Sequence, residues 1–321
     1  MIRRSLCLFP ISALLVLSAC GPEEGGLTEA EAAVTVIPQF PNYLVYSFSG
    51  GVIRVRALTT SPTEVTLPIS GSLPVMSPDH AKIAYVNNRR VMVANADGSS
   101  PRAISGIGYT SPAWSPDSRS LTYASEGDGA TGRHANIYLR AVDLSTPQRQ
   151  LTDSPPDLYF LSPKFLNDAL IVFDLLGHGN PEFPVVSVSA SMATSFTLMG
   201  GMNFANATHL DPSPSGVEVV YEAIPNPYVN LLCGGGSHAI VVAAVDYDSA
   251  GLPTATNHRL LYCDHLLSAS APSWGYYGKI AFTRANGDGT KSAMTIGSSG
   301  ASPPVSQFSL AASVLLDLSI R

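Results

Sequence analysis

From about residue 37 onward, apolar and polar positions alternate in short runs broken by Gly, Pro, Asn, Asp and Ser. A period of two is the strand period, and no stretch repeats at helical spacing. The runs also recur as a unit. Pro78 is followed five and seven residues later by Ile83 and Tyr85, in "MSPDHAKIAYV". Pro116 is followed at the same offsets by Leu121 and Tyr123, and Pro214 by Val219 and Tyr221. Leu166 holds the equivalent place before Ile171 and Phe173. "SWGYYGKIAFTRA" puts Trp274 where Trp114 stands and runs one residue shorter to Phe282. The most worn copy is "QFPNYLVYSF", with Tyr46 as its aromatic.

A second alternating run follows each copy: Val52–Leu58, Val91–Ala96, Ile137–Val142, Val185–Val188, Ile240–Val245 and Met294–Ile296. With the "PAW"-type run ahead of the turn and a last short strand, each unit offers four strands. Six such units predict an all-β fold, a six-bladed β-propeller, with seven blades and a fragmentary last one as the alternative. The segment "ASVLLDLSI" at 312–320 is a candidate closing strand. In "PAWSPDSRSLTYA" the Ser-Pro-Asp triplet has a mechanical account. Pro78 and Pro116 fix φ at the first turn position, and Asp79 and Asp117 can bond their own backbone two residues on. Trp114, Tyr85, Tyr123, Tyr221, Trp274 and Phe282 are then expected to pack the blades.

The start of the chain is different. "MIRRSLCLFPISALLVLSAC" has a basic beginning and an apolar run too short to span a bilayer, which reads as a secretory signal over residues 1–19. Its end, Leu17-Ser18-Ala19-Cys20, resembles the lipobox of bacterial lipoproteins. That resemblance implies cleavage before Cys20, lipid on Cys20, and anchoring on the periplasmic face of the outer membrane in a Gram-negative host. Residues 20–36 read as a flexible tether, and residues 37–321 as the propeller.

The 18 basic and 24 acidic residues give a net charge of −6. Loss of Arg3 and Arg4 with the signal would make it −8, since 16 basic residues would face 24 acidic ones. Such a surface repels a phosphate backbone, and no nucleic acid is expected as a partner.

"PAWSPDSRSLTYAS" followed by "NIYLRAVDLSTPQRQLTD" is similar to the repeat of TolB-type β-propellers, found also in the propeller domains of dipeptidyl-peptidase-like enzymes. The resemblance covers roughly residues 37–310 and implies a monomeric, non-catalytic scaffold that binds an envelope protein, peptide or other ligand. TolB has an α/β domain ahead of its propeller, where this chain has only the tether.

Four cysteines are present. Cys7 would leave with the signal and Cys20 would carry lipid. Cys233 and Cys263 are then expected to form a disulfide in an oxidising compartment. The alternatives are free thiols or a metal site that adds His238 and His265.

No Gly-x-Ser-x-Gly elbow occurs, and the Ser and His of "GGGSHA" are neighbours that face opposite ways on a strand. The seven histidines are scattered and read as solvent-facing loop residues. His134, His178 and His209 come from different units and would matter only if a channel mouth gathered them. "EGDGATGR" (126–133) and "NGDGTK" (286–291) read as hairpin turns, because neither supplies the further ligands of a calcium loop. No catalytic residue, metal or cofactor is assigned. The alternative function is a propeller enzyme, a polysaccharide lyase or glycosidase, acting at the central channel.

Overall fold

The structure is a computed structural model. It describes residues 43–48, 51–59, 61–125, 135–155, 158–176, 183–189, 196–197, 204–225, 233, 238–264, 267–310 and 316–320. All of them lie in the unit Thr35–Arg321. Cys20, the signal and the tether fall outside these residues.

Six four-stranded antiparallel sheets make up the described chain. Blade 1 contains β1 (Tyr43–Phe48), β2 (Val52–Ala57) and β3 (Glu64–Ser70). Blade 2 is β4 (Ser72–Met76), β5 (Lys82–Asn87), β6 (Arg90–Asn95) and β7 (Arg102–Ala103). Blade 3 is β8 (Tyr109–Trp114), β9 (Ser120–Ser125), β10 (Ile137–Ala141) and β11 (Arg149–Gln150). Blade 4 is β12 (Tyr159–Phe165), β13 (Leu170–Leu176), β14 (Pro184–Ser187) and β15 (Phe196–Thr197). Blade 5 is β16 (Phe204–Pro212), β17 (Glu218–Pro225), β18 (Ala239–Tyr247) and β19 (Pro253–Tyr262). Blade 6 is β20 (Ala269–Trp274), β21 (Lys279–Ala285), β22 (Lys291–Gly297) and β23 (Val305–Leu310).

The last strand, β24 (Leu316–Ile320), joins blade 1 by pairing antiparallel with β1, Val45 opposite Ser319. The chain therefore forms a six-bladed β-propeller, and the seven-bladed alternative is excluded. One detail differs from the repeat count. Among the described residues, the inner strand of blade 1 is β24, from the other end of the chain.

The apolar core is divided among the joints between blades. Six clusters of buried side chains occur, and each draws on two neighbouring blades. Between blades 2 and 3, for example, Val75, Ala84 and Val93 meet Trp114, Leu121 and Tyr123. Tyr46, Tyr123, Tyr221, Phe173 and Phe282 are among the largest fully buried side chains. Burying each such aromatic stabilises the joint by about 2–3 kcal/mol. Polar contacts also cross the joints. The Trp114 indole N–H donates to the Val75 carbonyl at 3.0 Å, and the Asp79 amide donates to Ser118 Oγ at 3.0 Å.

The Ser-Pro-Asp turns are closed systems. Ser115 Oγ donates to the Asp117 carboxylate at 2.6 Å and accepts the Ser120 amide at 2.9 Å, while Asp117 Oδ1 accepts the Arg119 amide at 3.0 Å. Ser77 and Asp79 repeat this pattern with the amides of Lys82 and Ala81. Burial pushes both carboxyls up, but the hydrogen bonds outweigh it and hold both below the usual carboxylate range. In these bonds the serine hydroxyl donates to the carboxylate and accepts a backbone amide, so Ser115 is not activated as a nucleophile. The segment 286–291 is likewise a turn between β21 and β22, with Thr290 N–H on Asp288 Oδ1 at 2.9 Å.

Candidate functional site

A cavity of about 180 Å³ lies where the six sheets converge. Its walls come from β4, β8, β12, β16, β20 and β24, one strand from each blade, which makes these the inner strands of the ring. Leu73, Pro74 and Val75 line one side, and Pro112, Leu210 and Pro272 extend the apolar lining. Ser111, Ser162, Ser273 and Ser319 add small polar groups. Only two lining side chains carry ionisable groups, Lys164 of blade 4 and His209 of blade 5.

Five of the six inner strands bulge at the same place. In blade 2, Ser72 pairs with Val86 and Val75 with Ala84, so Leu73 and Pro74 together face the single residue Tyr85. The same two-against-one arrangement sets Ser111 and Pro112 against Tyr123, and Ser162 and Pro163 against Phe173. It sets His209 and Leu210 against Tyr221, and Ala271 and Pro272 against Phe282.

The first residue of each pair has positive φ: Leu73 (49°), Ser111 (51°), Ser162 (48°), His209 (54°) and Ala271 (50°). None is glycine, so each stores backbone strain on the order of 1–3 kcal/mol. The second residue is proline in four blades. It has no N–H and so gives up nothing where the ladder is broken. The inner strand β24 pairs with β1 without a bulge.

Blade 5 departs from this pattern. Leu210 replaces proline and brings an N–H that needs an acceptor. Asp174 on β13 of blade 4 stands beside this bulge, where the charge of His209 and the backbone amides of His209 and Leu210 favour its ionised form. Asp174 is 7 % exposed, and its Oδ1 has no hydrogen-bond partner. Burial pushes this carboxyl up to about 6, against the pull of His209, Ser162 and the two backbone amides.

One blade on, the motif repeats. Glu222 on β17 accepts the amide of Ala271, the bulge residue of blade 6, at 3.0 Å. Glu222 also gathers two histidines. His209 Nδ1 lies 3.1 Å from Oε2, and His238 Nδ1 contacts Oε1. Burial alone would raise the Glu222 carboxyl. The bonds from His209, Ala271 and His238 overcome it and hold the group below its usual range. In return, the Glu222 hydrogen bond, opposed by burial and helped by the charges of Glu222 and Asp174, raises His209 above the ordinary imidazole value.

Asp211 completes the wall. Its Oδ2 accepts the Trp274 amide at 2.6 Å and the Ser273 hydroxyl at 3.1 Å, both from blade 6. Its Oδ1 has no hydrogen-bond partner and lies 3.9 Å from the Lys164 ammonium, beyond hydrogen-bond reach.

Neither a protein-family model nor a curated protein matches the sequence. Solved structures do match. The TolB structure from Acinetobacter baumannii superposes with a TM-score of 0.62 at 15 % identity, over 87 % of this chain and 66 % of that one. The chain thus spans just under two thirds of that protein. A protein from Agrobacterium tumefaciens described as putative TolB gives 0.51 at 20 % identity, over 69 % and 76 %. A chain of a nidogen–laminin complex gives 0.56 at 11 % identity, over 87 % and 98 %. At these identities the likeness is one of fold.

The sequence expectations meet the structure as follows. Cys233 and Cys263 form a disulfide with Cα atoms 5.6 Å apart, so neither is a metal ligand. His238 contacts Glu222 and His265 lies outside the described residues, which removes the proposed four-ligand site. Among the described residues no group of three or more His, Cys, Asp or Glu side chains is placed to hold a metal ion. His134 and His178 are also outside the described residues, so a gathering with His209 is not visible.

His209 does face solvent, with its side chain 53 % exposed, but it stands on strand β16 and touches a buried carboxylate; His238 is half-buried against the same group. His258 is half-buried, with Nδ1 3.0 Å from the Tyr221 hydroxyl. Glu222, Asp174, Asp211 and Lys164 were not singled out in the sequence. Their signal was the repeat itself. The residue after the buried aromatic is Val86, Ala124 and Thr283 in blades 2, 3 and 6, but Asp174 and Glu222 in blades 4 and 5.

At the opposite mouth, a second cavity of about 100 Å³ sits among the turns. Pro78, Trp114, Pro116, Phe165, Pro214 and Tyr276 line it, and no Asp, Glu, Lys, Arg or His does.

Proposed function

We propose that this protein is a lipid-anchored scaffold of the cell envelope whose propeller holds a protein or peptide partner. The observation that carries this reading is the turn-side mouth, where five blades present proline, phenylalanine and tyrosine around an uncharged depression. Such a surface suits an apolar side chain of a polypeptide, and the rigid ring keeps it preformed. The TolB-like fold and the signal-like N-terminus agree with an envelope location.

Two experiments test it. Replacing Cys20 with Ser should move the protein from the membrane fraction to the soluble one, and unchanged fractionation would sink the anchor. Affinity capture from solubilised envelopes should enrich one dominant protein, and Phe165→Ala and Tyr276→Ala, at partly exposed residues of this mouth, should each weaken that enrichment. Recovery of none under mild conditions counts against the scaffold.

A second reading has its own observation. His209, Glu222 and His238 converge at the channel wall, and a carboxylate behind an imidazole is a general-base arrangement. A propeller lyase or glycosidase would use it. Incubation with polyuronates and neutral glycans should then release unsaturated or reducing ends, and His209→Ala should stop the release. Absence of turnover on both classes removes this reading.

A further inference from the structure

The charges around the channel cavity are arranged by depth. Lys164 and His209 line it, and none of the lining residues is Asp or Glu. The carboxylates that answer these cations, Asp174, Asp211 and Glu222, are each under 10 % exposed and stand behind the wall. Two of them are occupied holding backbone amides of blade 6, Ala271 on Glu222 and Trp274 on Asp211. Lys164 is 3.9 Å from Asp211 Oδ1, so its ammonium keeps hydrogen-bonding capacity toward the cavity.

His209 Nδ1 lies 3.1 Å from both Glu222 Oε2 and Thr208 Oγ1, which leaves Nε2 at the other edge of a ring whose side chain is 53 % exposed. Serine hydroxyls 111, 162, 273 and 319 surround this pair, and Leu73, Val75, Leu210 and the prolines give the rest of the cavity an apolar body.

We infer that the channel cavity binds a small carboxylate, with the anion on Lys164 and His209 and an apolar body against Leu73, Val75 and Leu210. The volume agrees with this, since a dry cavity of about 150 Å³ accommodates benzene. The inference concerns the bulge-side cavity and stands whether or not the turn-side mouth docks a partner. The carboxylate has two sources, a free organic acid or an acidic side chain of a polypeptide.

Calorimetric titration of the purified protein near neutral pH with benzoate, and with benzamide as its uncharged match, tests the anion. A second pair of probes, acetyl-Gly-Glu-Gly-amide and acetyl-Gly-Gln-Gly-amide, tests the side-chain source. At least one carboxylate should bind about tenfold more tightly than its uncharged match. Lys164→Met and His209→Gln should each erase that preference, and Lys164→Arg should keep it. Preference for benzoate alone assigns the site to free acids, and preference for the glutamyl peptide assigns it to a polypeptide. Equal binding of charged and uncharged probes overturns the inference, as does a preference that survives Lys164→Met, or no binding of either carboxylate.

Discussion

Blades 2 and 3 differ from blades 4 and 5 at matching positions of one scaffold. The position after the buried aromatic is Val86 and Ala124 in the first pair, Asp174 and Glu222 in the second. The position two after the bulge residue is Val75 and Ala113 in the first pair, Lys164 and Asp211 in the second. All four acidic and apolar variants at the first position are buried. The same backbone therefore serves as an inert wedge on one side of the ring and as an ionisable wall on the other. Holding the ring together requires only the apolar version. The charged one introduces desolvation penalties, which contacts with the next blade offset at Glu222 but not at Asp174.

The largest effect should come from Glu222→Ala, which leaves two histidines and the Ala271 amide without their acceptor. Breaking such a buried cluster costs about 3–5 kcal/mol. Val86→Ala, at the matching place in blade 2, removes two methyl groups and should cost about 1–2 kcal/mol. Urea unfolding of both variants measures this, and equal losses would abolish the distinction between the blades.

Next comes pH. Asp174 has a folded value of about 6, above that of an ordinary carboxyl. Its charged form is disfavoured in the fold, so it contributes a loss of stability as pH rises from about 4 to about 6, on the order of 3 kcal/mol. Asp174→Asn should flatten that part of the profile, as followed by thermal melts across the range. A variant that melts in parallel with the parent would refute the assignment. His209 works in a related direction. Its raised value contributes stability at acid pH that is lost as pH climbs through the folded value.

The turns sharpen the contrast at smaller scale. Gly216 has φ +70°, and an added Cβ would stand 2.4 Å from the Leu166 carbonyl oxygen of blade 4. Gly216→Ala should destabilise by about 2 kcal/mol from the left-handed backbone alone, more with the clash. Ser118 holds the same turn position in blade 3 with φ 62°, and Ser118→Gly should cost only about 1 kcal/mol, because the lost acceptor of the Asp79 amide is partly offset by relief of the left-handed backbone. Similar midpoint shifts for both would remove the distinction. Equally small is Asp117→Ala, an exposed turn carboxylate, at about 1 kcal/mol in a denaturant titration. A loss of several kcal/mol would mean that this turn does more than bend the chain.

The fold was legible because propellers repeat, and the offset from Pro116 to Tyr123 survives where other residues have drifted. The six blades and the candidate closing strand followed from that offset. The bulges were not legible, since Leu, Ser, His and Ala have no shared signature for positive φ. Only the following proline marks the place. The site was half written. Asp174 and Glu222 stand in an aligned column where other blades are uncharged, yet that column shows its meaning only when the neighbouring blade is in place. His238 could not be connected to Glu222 by spacing, because they stand 16 positions apart and meet only once β17 and β18 pair. The structural neighbours extend the fold assignment and leave these residues to be judged by their own contacts.

The pairing of β24 with β1 has a consequence for how the molecule is made. Ser319 Oγ reaches the Pro74 carbonyl across 245 residues of chain, and the Ile320 amide reaches Ser273. Until Leu316–Ile320 has been synthesised, blade 1 shows an open edge and the cavity lacks one of its six walls. An exposed edge of that kind invites pairing with other chains. Contacts of such long range form late and slowly. β24 thus acts as a clasp on the biosynthetic timetable: a nascent chain can assemble its blades in order, but it completes the wall of its cavity and hides its sticky edge in one and the same step.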